Sequence, residues 1–128
     1  MKRDGITNSQ LMWLLTRMRH GDRIVMADCG LLIPSQILRI GLALIKGVPP
    51  FQQGVQALKE ETVFQKLIVT QEIRAFNSTQ SAFLKAIFSD VVMEEVPHEM
   101  LKKMLPDVLG VIRTGEATPY ANVILEGG

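Results

Sequence analysis

The sequence predicts an α/β fold: a single layered domain with a mostly parallel, mixed central sheet flanked by helices. Short apolar, β-branched segments alternate with amphipathic helical segments along the chain, and this order is typical of parallel sheets. The chain has 128 residues, of which 47% are apolar and 21% are charged. That length and composition are typical of one globular protein, so residues 1–128 are predicted to form a single domain.

The first predicted element is a helix over residues 9–19. Asn8 or Thr7 can cap its N-terminus, and leucine and methionine side chains recur at helical spacing along one face. Trp13 and Arg17 lie one turn apart, away from that face. They are therefore either simply exposed or part of a contact between subunits, and the sequence does not distinguish the two.

The remaining elements follow from short apolar runs and from helix start signals. Strands are predicted over residues 23–28, 39–45, 65–71 and 91–96, with two more on either side of the TGEATP loop. Helices are predicted after Pro49 and Pro50, from Asn77 or Ser78 onward, and from Glu99 to Met104. The last two strands are expected to form a hairpin-like pair that adds the second strand direction at one edge of the sheet.

The charge and cysteine content exclude several classes of protein. The formal net charge is +1 and the basic residues are scattered, so neither nucleic acid nor an anionic membrane is expected as a partner. Cys29 is the single cysteine, which rules out an internal disulfide framework and a cysteine-based zinc site. The apolar run at residues 11–15 is too short for a signal peptide, and none approaches the roughly 18 residues of a membrane span. We therefore expect a cytoplasmic protein.

Polar side chains follow the predicted strands at the points where the strands end. Asp28 ends the first strand, His98 follows the fourth, and the loop from Thr114 to Thr118 follows the fifth. In open α/β sheets, ligands bind just beyond the carboxyl ends of the strands. We therefore predict that these polar groups face a pocket rather than the core.

Each candidate residue also has a purely structural interpretation. His20, followed by a glycine, suits either the C-terminal end of the first helix or proton transfer near neutral pH. Asp28 can cap a turn or accept a hydroxyl group from a ligand. For Cys29, a small buried thiol is favoured over a nucleophile, because no cationic cluster adjoins it in sequence. The TGEATPY segment can be a simple turn in which Arg113 and Glu116 form a weak surface pair.

No motif for a metal or an organic cofactor is present. The two histidines, His20 and His98, lack HxxxH or HExxH spacing, whereas zinc needs at least three protein ligands. The nucleotide and serine-hydrolase motifs GxGxxG, GxxxxGKS/T and GxSxG are also absent. The sequence thus predicts no metal and no cofactor, and a pocket of imidazole and carboxylate groups that suits a neutral, polyhydroxylated ligand.

Three stretches carry a resemblance to a known family. They are NSQLMWLLTRMRHGDRIVMADCGLLIP, RIGLALIKGVPPF and VIRTGEATPYANVIL, which occur in the family's order and extend over nearly the whole chain. The chain resembles the D-ribose pyranases of the ribose pyranase and L-fucose mutarotase family. The fucose branch is similar at the HGD segment but usually lacks the D-x-G-x-x-I-P loop and the PYAN sequence.

The resemblance implies a cofactor-independent isomerase that interconverts β-D-ribopyranose and β-D-ribofuranose and so supplies ribokinase. By motif match, His20 is the expected general acid. The sugar is expected to be held by Asp28, His98, Tyr120, the backbone of Ala121, and Asn122. The family further implies a homo-oligomer, a decamer of stacked rings, in which a neighbouring subunit completes each site.

Several positions depart from the family pattern, and two other functions remain open. Leu32 replaces the usual Pro, Gly41 the usual Asp and Gln71 the usual Glu, and the sequence ends at Gly128, a few residues earlier than usual. The expected site residues are unaffected. The alternatives are a non-catalytic sugar-binding protein and a mutarotase for another monosaccharide, such as L-fucose.

Overall fold

The computed structural model describes residues 1–128 and contains five α-helices and six strands. The helices are α1 (Ser9–Arg17), α2 (Phe51–Glu61), α3 (Gln71–Phe76), α4 (Ser78–Ile87) and α5 (His98–Met104). The strands are β1 (Arg23–Ala27), β2 (Arg39–Gly41), β3 (Phe64–Thr70), β4 (Val92–Val96), β5 (Gly110–Arg113) and β6 (Val123–Gly127). A turn of 3₁₀ helix, Leu105–Asp107, follows α5. None of the helices is both long and apolar enough to cross a bilayer.

All six strands form one sheet in the order β2-β5-β1-β6-β3-β4. The pairs β2–β5, β5–β1 and β3–β4 are parallel, whereas β6 runs antiparallel to both of its neighbours, β1 and β3. The prediction of a mostly parallel, mixed sheet flanked by helices is therefore confirmed.

The predicted place of the reversed strand is wrong. β6 lies in the middle of the sheet and does not pair with β5, because β1 lies between them. Residues 114–122 carry the chain over the carboxyl end of β1 instead of forming a hairpin turn. The physical reason is visible in β6 itself: Val123, Ile124 and Leu125 are all fully buried, so both faces of the strand need cover.

Apolar side chains pack on both faces of the sheet because successive strand residues point to opposite sides. On one face, Ile24 and Met26 of β1 join a cluster of 19 buried residues that includes side chains of α1, α2, α3 and α4. On the other face, Val25 and Ala27 join a cluster of 11 buried residues with α5 and the 3₁₀ turn. The sheet is thus the middle layer of the fold. It fixes the positions of the strand ends and of the polar residues that follow them.

One predicted strand is longer than the observed one, and one observed helix was not predicted. The strand expected over residues 39–45 ends at Gly41, and the following segment leaves the sheet with Leu44 and Ile45 largely exposed. The helix α3 was not predicted. It starts where β3 ends, because the Thr70 hydroxyl accepts a hydrogen bond from the Ile73 amide and caps a helix too short to show an apolar period.

The first helix begins as predicted and ends two residues early. The Asn8 side chain caps it by accepting a hydrogen bond from the Leu11 amide at 3.0 Å. Trp13 is half exposed, and the Arg17 guanidinium lies 4.4 Å from the centre of its ring. This cation–π pair lies on the surface of the single chain.

Candidate functional site

The carboxyl end of β1, the N-terminus of α5 and the loop before β6 surround a cavity of about 450 Å³. This size falls within the roughly 300–1,000 Å³ of small-molecule sites. Four of the predicted site residues line it, namely Asp28, His98, Tyr120 and Asn122. Their assembly agrees with the rule that polar residues beyond strand ends meet at one edge of the sheet.

Asp28 and Asn122 hold each other through reciprocal hydrogen bonds. The Asp28 amide donates to Asn122 Oδ1 at 2.9 Å, and Asn122 Nδ2 donates to Asp28 Oδ2 at 3.3 Å. The other carboxylate oxygen of Asp28 accepts a bond from the Gly30 amide. Burial raises the pKa of Asp28 above its ordinary value of 3.8, and these hydrogen bonds only partly offset that effect. The Asp28 carboxylate is therefore a hydrogen-bond acceptor that is held in position in a partly desolvated environment.

Tyr120 occupies the cavity wall with an unusual backbone. Its φ is +58°, in the left-handed region that side-chain-bearing residues rarely adopt. Its ring packs edge-on against His98, with the centroids 5.2 Å apart, and lies 5.8 Å from the ring of Phe76 on α3. Ala121, the next residue, does not line the cavity, since its side chain is fully buried in the core.

His98 is the first residue of α5, and its backbone is held by a carboxylate. The His98 amide donates to both Glu72 carboxylate oxygens, at 3.1 and 3.2 Å. Its ring nitrogen Nδ1 is buried without a hydrogen-bond partner. The His98 side chain is nevertheless part of the cavity lining.

Most polar groups of the loop that follows β5 bind the protein rather than the cavity. Arg113 donates to the Leu31 carbonyl at 2.7 Å, and the Thr114 hydroxyl donates to the Ala27 carbonyl at 2.8 Å. Glu116 is buried and accepts a bond from the Phe51 amide at the start of α2, so the expected surface pair with Arg113 is wrong. These bonds fix the loop to β1, to the segment that follows β1 and to α2.

One charged residue that lines the cavity, Lys102, was not predicted from the sequence. Lys102 lies one helical turn after His98, and its ammonium is 2.9 Å from Glu99 Oε1. The i, i+4 spacing from His98 was a usable signal for Lys102. Glu116 and Thr118 line the cavity, as predicted for the polar groups of the loop after β5, whereas Thr114 is fully buried and does not line it.

Cys29 also lies on the cavity wall and is exposed, so the expectation of a buried thiol is wrong. Its amide donates to the Glu116 carbonyl at 2.8 Å, which turns the residue outward beyond the end of β1. No group of three or more His, Cys, Asp or Glu side chains is arranged to hold a metal ion.

His20 lies at the other end of the sheet. It is exposed and lines a separate groove with residues of α1 and with Val63 and Gly127. The five residues of β1 lie between His20 and Asp28, a distance of about 16 Å at about 3.3 Å per residue. Within one chain, therefore, the predicted general acid does not reach the cavity that holds the predicted sugar-binding residues.

Comparison with known proteins identifies the family. A family model described as the RbsD / FucU transport protein family matches residues 1–128. The chain belongs to this family. Similar members include the D-ribose pyranase of Geobacillus thermodenitrificans, which is 47% identical over all of this chain and 97% of that protein. The D-ribose pyranase of Bacillus subtilis is 44% identical over all of this chain and 98% of that protein.

Solved structures of the family have the same fold. The structure of Bacillus subtilis RbsD complexed with D-ribose matches with a TM-score of 0.97 at 44% identity, covering all of this chain and 98% of that one. The fucose mutarotase from Streptococcus pneumoniae, in complex with L-fucose, matches with a TM-score of 0.78 at 17% identity, covering 94% of this chain and 92% of that one. The second likeness concerns the fold alone.

The three positions that depart from the family pattern all lie on the surface. Leu32 is 81% exposed at the cavity rim, and Gln71 is exposed at the start of α3. At Gly41 a side chain would meet no atom within 4 Å. The fold of the single chain thus tolerates all three, and among them only Leu32 lines the cavity.

Proposed function

We propose that this protein is a D-ribose pyranase, which interconverts β-D-ribopyranose and β-D-ribofuranose without a cofactor. The observation that carries the proposal is the cavity formed by Asp28, His98, Tyr120 and Asn122. It occurs in a chain that is 47% identical to a D-ribose pyranase and that shares its fold with a ribose complex. We further propose that the protein acts in the cytoplasm and supplies the furanose to ribokinase.

The only help that the chemistry requires from the protein is proton transfer. Opening the cyclic hemiacetal breaks the bond between the anomeric carbon and the ring oxygen, places a proton on that oxygen and removes one from the anomeric hydroxyl. Closure forms a bond between the anomeric carbon and a different hydroxyl oxygen and reverses both proton transfers. A histidine near neutral pH is suited to both transfers. The hydroxyl groups of the sugar would bind the Asp28 carboxylate, the His98 imidazole, the Tyr120 hydroxyl and the Asn122 side chain. The backbone of Ala121 would assist.

The catalytic acid would come from a second subunit. His20 lies about 16 Å from the cavity along β1, so a shared site reconciles the two predictions. Because the two surfaces lie at opposite ends of one chain, each subunit would meet its neighbour head to tail. Such heterologous contacts close into rings when the rotation allows. We therefore propose a ring-shaped homo-oligomer, stacked as a decamer.

The first experiment is NMR saturation transfer between the pyranose and furanose signals of D-ribose at neutral pH. The wild-type protein should accelerate exchange, and His20→Ala should abolish it. Arg19→Ala is the matched control, because Arg19 is equally exposed beside His20 and should leave the exchange rate unchanged. Exchange retained by His20→Ala would refute the role of His20.

A mixing experiment tests whether sites are shared. As pure proteins, His20→Ala should be inactive, and Asp28→Asn should be nearly inactive at a ribose concentration close to the wild-type dissociation constant. Coexpressed in equal amounts, they should recover on the order of a quarter of the wild-type activity, because some sites combine an intact His20 with an intact Asp28. No recovery in proven mixed oligomers would exclude a shared site.

Two alternatives are distinguished by the same assay. Bound ribose without accelerated exchange would indicate a sugar-binding protein, which the transport description of the family keeps open. Faster exchange with L-fucose than with D-ribose would indicate a mutarotase of the fucose type, whose fold this chain shares.

A further inference from the structure

Asn77, a buried residue outside the cavity, is bonded to the loop that carries Tyr120. It lies at the junction of α3 and α4 and is 8% exposed. Its Nδ2 donates to the Thr118 hydroxyl at 2.9 Å and to the Pro119 carbonyl at 2.7 Å. Both donors of the amide are therefore used on the two residues that precede Tyr120.

The contacts continue as a series of hydrogen bonds that converges on Glu116. The Thr118 hydroxyl accepts from Asn77 and donates to Glu116 Oε2 at 2.8 Å. The other Glu116 oxygen accepts from the Phe51 amide at 2.9 Å. A carboxylate is an acceptor only, so it ends the series from both sides. The series thus links the loop to α4 at one end and to α2 at the other.

Tyr120 needs such support because its backbone conformation is unfavourable. A φ of +58° is disfavoured for a residue with a side chain, and it persists only when the surroundings hold it. The Pro119 carbonyl is fixed by Asn77 on one side, and the Tyr120 carbonyl accepts from the Asn122 amide at 2.8 Å on the other. Tyr120 is therefore held from both of its peptide bonds.

We propose that Asn77 is a positioning residue that sets sugar affinity by fixing the Tyr120 backbone over the cavity. This inference rests on the proposed function for its sugar, but the position of Tyr120 can be measured without sugar. Asn77 itself does not line the cavity, so its effect on the sugar would pass through Thr118 and Pro119.

The test compares Asn77→Ala with Gln80→Ala. Gln80 is a matched control. It is similarly buried in α4, the helix that begins directly after Asn77, and its side chain bonds Gln52, away from the loop. Asn77→Ala should raise the KM for ribose about tenfold, the scale of one lost hydrogen-bonded constraint, with a smaller change in kcat. Gln80→Ala should leave both constants unchanged. Equal kinetics for the two variants would overturn the proposal.

A spectroscopic test separates this proposal from the proposed function. Tyr120 is the single tyrosine, so ¹⁹F NMR of protein containing 3-fluorotyrosine reports on this residue alone. Without sugar, Asn77→Ala should shift or broaden the resonance, whereas Gln80→Ala should match the wild type. An unchanged resonance in Asn77→Ala would overturn the proposal. If the wild type fails to accelerate ribose exchange, the proposed function is refuted, but the ¹⁹F spectra still test whether Asn77 positions Tyr120.

A second variant covers the case in which Asn77→Ala does not fold. Thr118→Val keeps the shape of an exposed side chain but removes the hydroxyl that joins Asn77 to Glu116. It should shift the ¹⁹F resonance in the same direction. A wild-type resonance in Thr118→Val would contradict the role assigned to the hydrogen bonds from Asn77 through Thr118 to Glu116.

Discussion

The two ends of the sheet hold their polar side chains in opposite ways. At the carboxyl end of β1, Asp28 and Asn122 are bonded to each other, and Glu116 is buried and bonded on both oxygens. At the other end, His20 is exposed and lines a separate groove. The first arrangement is pre-organised for a ligand within one chain. The second would reach a ligand bound in such a cavity only from a neighbouring subunit, which is why we propose a shared site.

The largest expected effect of a change confined to the cavity is that of Asp28→Asn. The variant should lose ribose affinity by about a hundredfold, because it replaces a charged acceptor of sugar hydroxyls. Its free energy of unfolding at neutral pH should change by less than about 1 kcal/mol, because burial already penalises the charge. Ribose titration and urea unfolding measure the two quantities.

The control for that variant is Asp90→Asn, an exposed carboxylate beyond the opposite end of β4. It should bind ribose like the wild type. Asp28→Asn with wild-type affinity would show that the carboxylate only caps the turn before Gly30.

The pH dependence of ribose binding should follow Asp28. Burial raises its pKa above 3.8, so the carboxylate takes up a proton, and affinity falls, at a pH above that value. The folded chain also binds this proton more tightly than the unfolded chain. The contribution of Asp28 to stability therefore decreases as pH rises from 3.8 through the raised pKa. Dissociation constants for ribose measured across this range should show an acid limb that Asp28→Asn lacks.

The smallest expected effect is at the His20 end of the sheet, where Glu126 pairs with Arg23 at 2.9 Å. Hydrogen bonds from Gln65 and Arg23 lower the pKa of Glu126 below 4.5. Its stabilisation is present above pH 4.5 and is lost as pH falls through the lowered value. Glu126→Gln should cost less than about 1 kcal/mol at pH 7 and leave ribose binding unchanged.

Urea unfolding of the wild type and Glu126→Gln at pH 7 and at pH 3 checks this prediction. The difference in free energy should shrink at the lower pH. A constant difference would mean that the side chain contributes through packing rather than charge.

Residues of the cavity could be predicted from the sequence because polar residues beyond the carboxyl ends of parallel strands meet at one edge of the sheet. Asp28 and His98 follow strands that run in the same direction, so the carboxyl ends of β1 and β4 bring them to the same edge of the sheet. The bonds that hold Tyr120 were not predictable, since Asn77 and Glu116 meet it only through a loop that crosses β1. Neither propensity nor periodicity encodes such a crossing.

The central position of β6 was predictable and was missed. Val123, Ile124 and Leu125 form an unbroken apolar run, which indicates a strand covered on both faces rather than an edge strand. The TGEATP loop before it suggested a hairpin, and hairpin partners are neighbours in the sheet. Residues 114–122 instead bind across the end of β1, through Thr114 and the Ala27 carbonyl.

The place of β6 has a consequence for how the chain reaches its folded state on the ribosome. β6 is the latest of the six strands to be synthesised, yet it joins β1 to β3. Until it emerges, the sheet consists of two separate parts, β2-β5-β1 and β3-β4, each with an unpaired apolar edge. Such edges pair readily with other chains. A chain truncated before Val123 would therefore be prone to aggregate, because its two half-sheets would lack the strand that joins them.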